Sequence, residues 1–292
     1  MYYISGCFVY FFSGYVDISI GRRSEFTSTD DRNYLMFTQQ WPPVSCLNWQ
    51  ILNPKHTCNI NIQIDNWTVR GIKYFNRPSS LDKSSGLYFC NKYDPFDVNQ
   101  IQSIKRELNK YWPNIHANKA EDYLWAHEWE KHGTCATTFP MLKTQLQYFQ
   151  QALKWIKQFN MYSILKTSGI EPSFDNPVLA HEIETAIQKV LNVKPILECE
   201  YIKTNNSYYI YEIKICFDID LELMDCPMNS SKRCMSNTLV WYPPIHLKKK
   251  MEPAYSMEFE DILSLLLGLL VIYALARFFA GTHTLLQPEN TN

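Results

Sequence analysis

Between about residue 30 and residue 245, short β-rich runs alternate irregularly with longer stretches in which apolar residues recur at helical spacing. Residues 34–39 (YLMFTQ) read as a strand ended by Trp41-Pro42-Pro43, and residues 67–70 as a second strand stopped at Gly71. Ile101, Ile104, Leu108 and Tyr111 stand three or four apart, which predicts a helix over 98–112 closed by Pro113. Residues 120–131 continue as helix up to His132-Gly133, where the glycine suits a C-terminal stop. A longer helical pattern covers 141–162, with Gly169 and Pro172 beyond it, and Asp175-Asn176-Pro177 opens another that runs to about residue 191. The texture then changes. Residues 196–202 and 208–217 are rich in β-branched and aromatic side chains, as a hairpin requires, and 240–242 add a short strand before Pro243-Pro244. Helices and strands mix without a regular βα rhythm, so the expected class is α+β.

The two ends carry a different pattern. Within residues 1–21, the run 4–16 is apolar and aromatic and suits the core of a signal peptide. It lacks a basic stretch ahead of it and a small-x-small cleavage site, so a misplaced start is the competing reading. At the other end, 262–276 are uncharged and nearly all aliphatic, and 278–281 continue the run past Arg277. A spanning helix uses about 20 such residues, and the stem of Arg277 can reach the headgroups and restore the length. The run is not amphipathic, so a transmembrane helix over 262–281 is expected rather than a packed terminal helix. Residues 246–261 then form a linker and 282–292 a polar tail. Lys248, Lys249 and Lys250 oppose this arrangement, because they fall on the lumenal side of the span.

Composition narrows the function classes. An apolar fraction of 46% over 292 residues suffices for one large core over 30–245. A formal charge of −1 excludes a broad electrostatic footprint for DNA, while a short RNA segment held in a cleft stays compatible with it. Of nine cysteines, eight lie between Cys46 and Cys234 and the ninth, Cys7, sits in the N-terminal apolar run. No Cys-x-x-Cys occurs, which argues against a zinc ribbon or a thioredoxin-like site. The even set points to an oxidising compartment, and glycosylation sequons at Asn66, Asn205 and Asn229 point the same way. The chain is therefore expected in the secretory pathway, with the domain lumenal, lysosomal or extracellular.

The stretch HEWEKHGTC at 127–135 carries the candidate chemistry. On an ideal helix His127, Lys131, Glu128 and His132 project at about 0°, 40°, 100° and 140°, so they share one face. A solvated charged face is the plain alternative. Trp125, Trp129 and the adjoining Gly133-Thr134-Cys135 argue for a face held in place. A zinc-protease string needs its histidines four apart, and here they are five apart, so no metal is expected.

Together FTQQWPPVSC (37–46), WTVRG (67–71) and HEWEKHGTC (127–135) resemble the ribonuclease T2 family, acid endoribonucleases of secretory and lysosomal compartments, and the likeness extends from about residue 34 to WYPP at 241–244. The resemblance implies a central antiparallel sheet packed by helices, with a cleft where the sheet meets the motif helix. It also implies the pairings Cys46–Cys58, Cys90–Cys135, Cys199–Cys234 and Cys216–Cys226. The implied reaction is attack of a ribose 2′-OH on the adjacent phosphate of single-stranded RNA, leaving a 2′,3′-cyclic phosphate. DNA is excluded by that hydroxyl, and neither a cofactor nor a metal is called for. By the match His132 is the base, Lys131 and Glu128 stabilise the transition state, and His127 positions the phosphate.

One role has no occupant. The family reads Trp-Thr-x-His-Gly-Leu-Trp-Pro where this chain reads WTVRGIKY, so Arg70 stands in the place of the general-acid histidine. A guanidinium binds phosphate but does not release its proton. Ile72-Lys73-Tyr74 replace Leu-Trp-Pro, which also removes the tryptophan that would stack a base. His56, in a loop between two cysteines, and His116, after a helix end, are not expected to substitute, and neither Tyr74 nor Phe75 sits where the tryptophan would. Three readings stay open: a T2-type endoribonuclease with residual or altered activity, a silent relative that grips RNA through Arg70 and Lys131, and a membrane-tethered interaction protein.

Overall fold

The structure, a computed structural model, describes residues 33–60, 66–75, 87–227 and 232–245, with 267, 270–273 and 275. Its centre is a sheet of β1 (Tyr34–Gln40), β2 (Thr68–Phe75), β3 (Val178–Leu179), β4 (Ile196–Ile202), β5 (Ser207–Phe217), β6 (Leu223–Met224) and β7 (Leu239–Trp241). The order is β2-β1-β5-β7-β3, with β4 and β6 also on β5. The sheet is antiparallel as expected except where β7 runs parallel to β5, through Tyr208↔Val240 and Tyr209↔Trp241.

Period-two alternation gives the sheet two unlike faces. Leu35 and Phe37 of β1, Ile72 and Tyr74 of β2, and Ile213, Ile215 and Phe217 of β5 face the main core. Helix α5 (Gln145–Gln158) covers that face, with Trp155 stacked on Phe217 at 3.9 Å between ring centroids. The opposite face is apolar only at one end, where Tyr34, Met36, Ile196, Cys216 and Cys226 cluster. Further along, register places Thr38, Glu212, Lys214 and Glu198 there, all buried. That polar half is where the site lies.

Several elements depart from the sequence pattern. Pro42-Pro43 do not simply end β1: they occupy the first turn of α1 (Pro42–Leu52), where the missing N–H groups cost nothing. The 98–112 helix is a 3₁₀ stretch, Val98–Ile104, followed by α2 (Lys105–Tyr111). The 141–162 pattern divides because Phe159 and Asn160 leave helical geometry and Asn160 caps α6 (Met161–Lys166), while a Thr144–Gln147 capping box starts α5. Residues 175–177 precede β3, and the helix expected there, α7 (Ala180–Leu191), begins only afterwards.

Two departures bear on the site. Strand β2 does not stop at Gly71 but runs on to Phe75, and it carries a bulge: Thr38 faces Gly71 and Gln39 faces Val69, so Arg70 has no partner of its own. The motif helix is α3 (Tyr123–Glu128), then a π-turn over Trp129–Gly133, then α4 (Thr134–Ala136).

All four disulfides pair as the family likeness implies: Cys46–Cys58, Cys90–Cys135, Cys199–Cys234 and Cys216–Cys226. Of the sequons, Asn66 accepts from the Trp67 N–H and Asn205 donates to the Tyr209 hydroxyl, while Asn229 lies outside the described residues. The segments 1–21, 246–261 and 282–292 also lie outside them, as does most of 262–281. Leu267, Leu270, Val271, Ile272, Tyr273 and Leu275 are helical and exposed. Among the described residues no helix is long and apolar enough to cross a membrane.

Candidate active site

The bulge decides where Arg70 points. In a regular strand Arg70 and Gly71 would face opposite sides, but two residues opposed to one on β1 turn the arginine toward the polar sheet face. There its Nη1 donates to Glu128 Oε1 at 2.6 Å, and its Nε lies 3.8 Å from Glu212 Oε1. Glu212 Oε2 is 3.4 Å from Lys214 Nζ, which is 2.5 Å from Glu198 Oε1. The result is a chain of alternating charges, Glu128–Arg70–Glu212–Lys214–Glu198, running from the motif helix across β2 and β5 to β4. Burial alone would loosen the Arg70 proton, but the Glu128 and Glu212 carboxylates outweigh it and raise the pKa above its already high ordinary value. Arg70 stays charged and is neutralised by protein carboxylates.

Gly71 allows this approach. A Cβ there would stand 2.1 Å from Glu128 Oε2 and 2.9 Å from its carboxyl carbon. Glu128 is 1% exposed, and its Oε2 has no hydrogen-bond partner among the described residues.

The π-turn alters the geometry expected of the motif. Its i→i+5 repeat brings residues five apart into line, so His127 and His132 are not splayed by 140°; their ring centroids are 6.5 Å apart. The turn is pinned from three sides. Trp125 Nε1 donates to the Trp112 carbonyl at 2.8 Å, Trp129 Nε1 donates to the Asp94 carbonyl at 3.0 Å, and Cys135 is tied to Cys90. The Phe89 N–H donates to the Lys131 carbonyl at 2.9 Å and holds residues 87–90 against the turn.

His132 is 2% exposed, and its Nδ1 finds no hydrogen-bond partner among the described residues. Burial pushes its pKa down, and the positive charges of Lys73, Lys131, His127 and Arg70 push it further, to about 2. It is therefore held neutral. As a proton acceptor it is weak until an anion offsets the surrounding cations. Burial lowers the pKa of His127 too; Glu128 opposes the shift, while Lys131 and Arg70 add to it.

Tyr74 is buried against Phe139, and Phe75 stacks on Tyr34, so neither replaces the missing tryptophan. The aromatic beside His132 is Tyr88, half-exposed, with its ring 5.4 Å from that imidazole and the Lys131 ammonium 5.2 Å from its centroid. His56 and His116 both stack on Trp49, at 3.5 and 4.0 Å, and that packing occupies them. The structure thus brings His127, Glu128, Lys131, His132 and Arg70 together, and adds Lys73, Tyr88, Glu212, Lys214 and Glu198 around them. Of the additions, Glu212 and Lys214 had a legible signal: charges two apart inside an otherwise apolar strand. Among the described residues no group of three His, Cys, Asp or Glu side chains is arranged to hold a metal.

A sequence model of the Ribonuclease T2 family matches residues 32–226, which include β1, β2, the motif helix and the whole charge chain. The chain belongs to the ribonuclease T2 family. It is 36% identical over 219 residues to Ribonuclease Oy of Magallana gigas, covering 74% of this chain and 98% of that one. To Ribonuclease T2 of Homo sapiens it is 31% identical over 200 residues, 66% of this chain and 69% of that one. The crystal structure of human RNase T2 superposes with a TM-score of 0.57 at 27% identity, covering 73% of this chain and 98% of that one. Within this T2 fold the motif helix carries His127, Glu128, Lys131 and His132, and the strand that faces it carries an ion-paired arginine.

Proposed function

We propose that this T2-family chain binds single-stranded RNA over the polar sheet face and cleaves it, through a 2′,3′-cyclic phosphate, only with severely reduced efficiency. The contact that carries this reading is Arg70 Nη1 to Glu128 Oε1 at 2.6 Å. Transesterification needs a base for the 2′-OH proton, positive charge on the phosphorane oxygens and an acid for the departing 5′-oxygen. His132 serves as the base, Lys131 supplies charge and His127 orients the phosphate. Arg70 cannot release a proton, and its pairing with Glu128 and Glu212 leaves little of its charge for substrate. The same bond engages Glu128, which the resemblance casts as a stabiliser of the transition state.

The decisive assay compares the protein with its Arg70→His variant on RNA at mildly acid pH. The variant is expected to be faster by about 10²–10⁴-fold, the usual contribution of one proton-transfer group. Robust turnover by the unaltered protein, lost in His132→Ala, would overturn the impaired reading. Retained RNA binding that weakens steeply with salt supports the RNA-facing role; no binding at all would favour an interaction protein that keeps only the fold.

The compartment belongs to the same proposal. Four disulfides favour secretion, with a signal peptide over 1–21 and glycans at Asn66, Asn205 and Asn229. Exposed apolar side chains at 267, 270–273 and 275 favour anchoring through 262–281. Release of the full chain into the supernatant on alkaline carbonate extraction would exclude the anchor.

A further inference from the structure

Arg70 deprives the reaction of its proton donor, yet β2 presents a second cation on the same face. The two-for-one bulge resets the strand's alternation, so Arg70, Gly71 and Lys73 all turn toward the polar side; without the bulge Arg70 and Lys73 would face opposite ways. Register fixes the neighbours of Lys73. It pairs with Met36, and one step along that face Thr38 links Gly71 to Lys214. Lys73 is half-buried and, among the described residues, makes no salt bridge, whereas Arg70 is held by Glu128 and Glu212 and Lys214 by Glu198 and Glu212. The charges bearing on it come from the motif helix (Glu128), from β5 (Glu212, Lys214) and from β2 (Arg70). Of the charges bearing on His132, that of Lys73 is the foremost, ahead of Lys131, His127 and Arg70.

From this placement we propose that Lys73 is the proton donor to the departing 5′-oxygen of RNA, in the role that Arg70 cannot fill. The inference rests on the reading that the site transesterifies RNA and names the group through which its remaining activity runs. As the 2′-oxygen forms its bond to phosphorus, its proton passes to the neutral imidazole of His132. The P–O5′ bond breaks, its electron pair stays on the oxygen, and that oxygen takes a proton from the Lys73 ammonium. The products are a 2′,3′-cyclic phosphate and a free 5′-hydroxyl, with an imidazolium and a neutral amine that exchange protons with solvent before the next turnover. Burial helps: it lowers the Lys73 pKa below the ordinary lysine value, against the pull of Glu128 and Glu212, and so makes the ammonium a better acid.

The test uses two substrates, a dinucleoside monophosphate and uridine 3′-(4-nitrophenyl phosphate), whose nitrophenolate departs without being protonated. In the full chain, Lys73→Met is expected to lose about 10²-fold or more on the dinucleotide and to change far less on the nitrophenyl ester, whose cleavage also shows that the variant is folded. Lys73→Arg should lose as much as Lys73→Met on the dinucleotide, because it keeps the charge but not the releasable proton. Equal losses on both substrates, rescue by Lys73→Arg, or no loss at all would overturn the assignment. Unaltered protein that cleaves the ester but not the dinucleotide would refute Lys73 while leaving His132 as the base. Unaltered protein that cleaves neither would sink the RNA-cleaving reading itself, and the assignment with it.

Discussion

Residues 127–135 and residues 70–74 face each other across one site and have fared differently. The first stretch holds His132, Lys131 and His127, pinned by two indole hydrogen bonds and a disulfide. The second presents a guanidinium and an ammonium on the bulged strand that meets this turn. The difference teaches that two halves of one site can be held by different means. The helix half is anchored in the core by the buried Trp125 and Trp129. The strand half hangs on an edge strand, where Arg70 is held by the carboxylates of Glu128 and Glu212.

The largest effect that would break this contrast is on turnover. Arg70→His should speed RNA cleavage by about 10²–10⁴-fold, measured under single-turnover conditions; no gain would show that the strand half is not what limits the reaction. Next in size is Arg70→Ala, which takes from the buried Glu128 its ion-pair partner and leaves Glu212 with Lys214 alone. Breaking a buried pair costs about 3–5 kcal/mol, and because Arg70 is itself 28% exposed a loss near the lower end is expected in chemical denaturation. Gly71→Ala drives a methyl into the Glu128 carboxylate and should lower stability by about 1–3 kcal/mol, with the Arg70–Glu128 contact displaced in a crystal of the variant.

The helix half makes a prediction in pH. Burial and the neighbouring cations hold the pKa of His132 at about 2 in the folded chain, below the ordinary histidine value of 6.5. From about pH 6.5 down to about pH 2 the unfolded chain therefore binds the extra proton. Its stabilising contribution is complete above pH 6.5 and lost progressively as the solution is acidified. His132→Gln should flatten the fall in melting temperature between pH 7 and pH 4; an unchanged slope would mean that the imidazole is not held neutral. The smallest expected effect is on binding. Glu128→Gln releases Arg70 toward phosphate, so RNA affinity should rise modestly and its salt dependence steepen, whereas weaker binding would show that Glu128 holds the cleft in shape.

Much of the fold was legible because its signals are local. The β-rich runs 34–39 and 208–217 marked strands that exist, and the helical pattern over 141–162 marked α5. The π-turn left no trace, because 127–132 also project onto one face of an ordinary helix and only the i→i+5 geometry corrects the angle between its histidines. Arg70 was identified by its neighbours Trp67, Thr68 and Gly71, but its carboxylate partner Glu212 was not. The contact depends on a bulge in β2 and on the register of β1 against β5, two long-range pairings that no window of sequence contains. Lys73 was visible only as a missing tryptophan for the same reason.

The alternating charges from Glu128 to Glu198 also bear on how reversible the change at position 70 is. An imidazole there would take the guanidinium away from the buried carboxylates of Glu128 and Glu212, so a variant that gains speed should do so as a more fragile molecule. A second change that removes a neighbouring carboxylate, Glu212 being the nearest candidate, should then give back part of the lost stability.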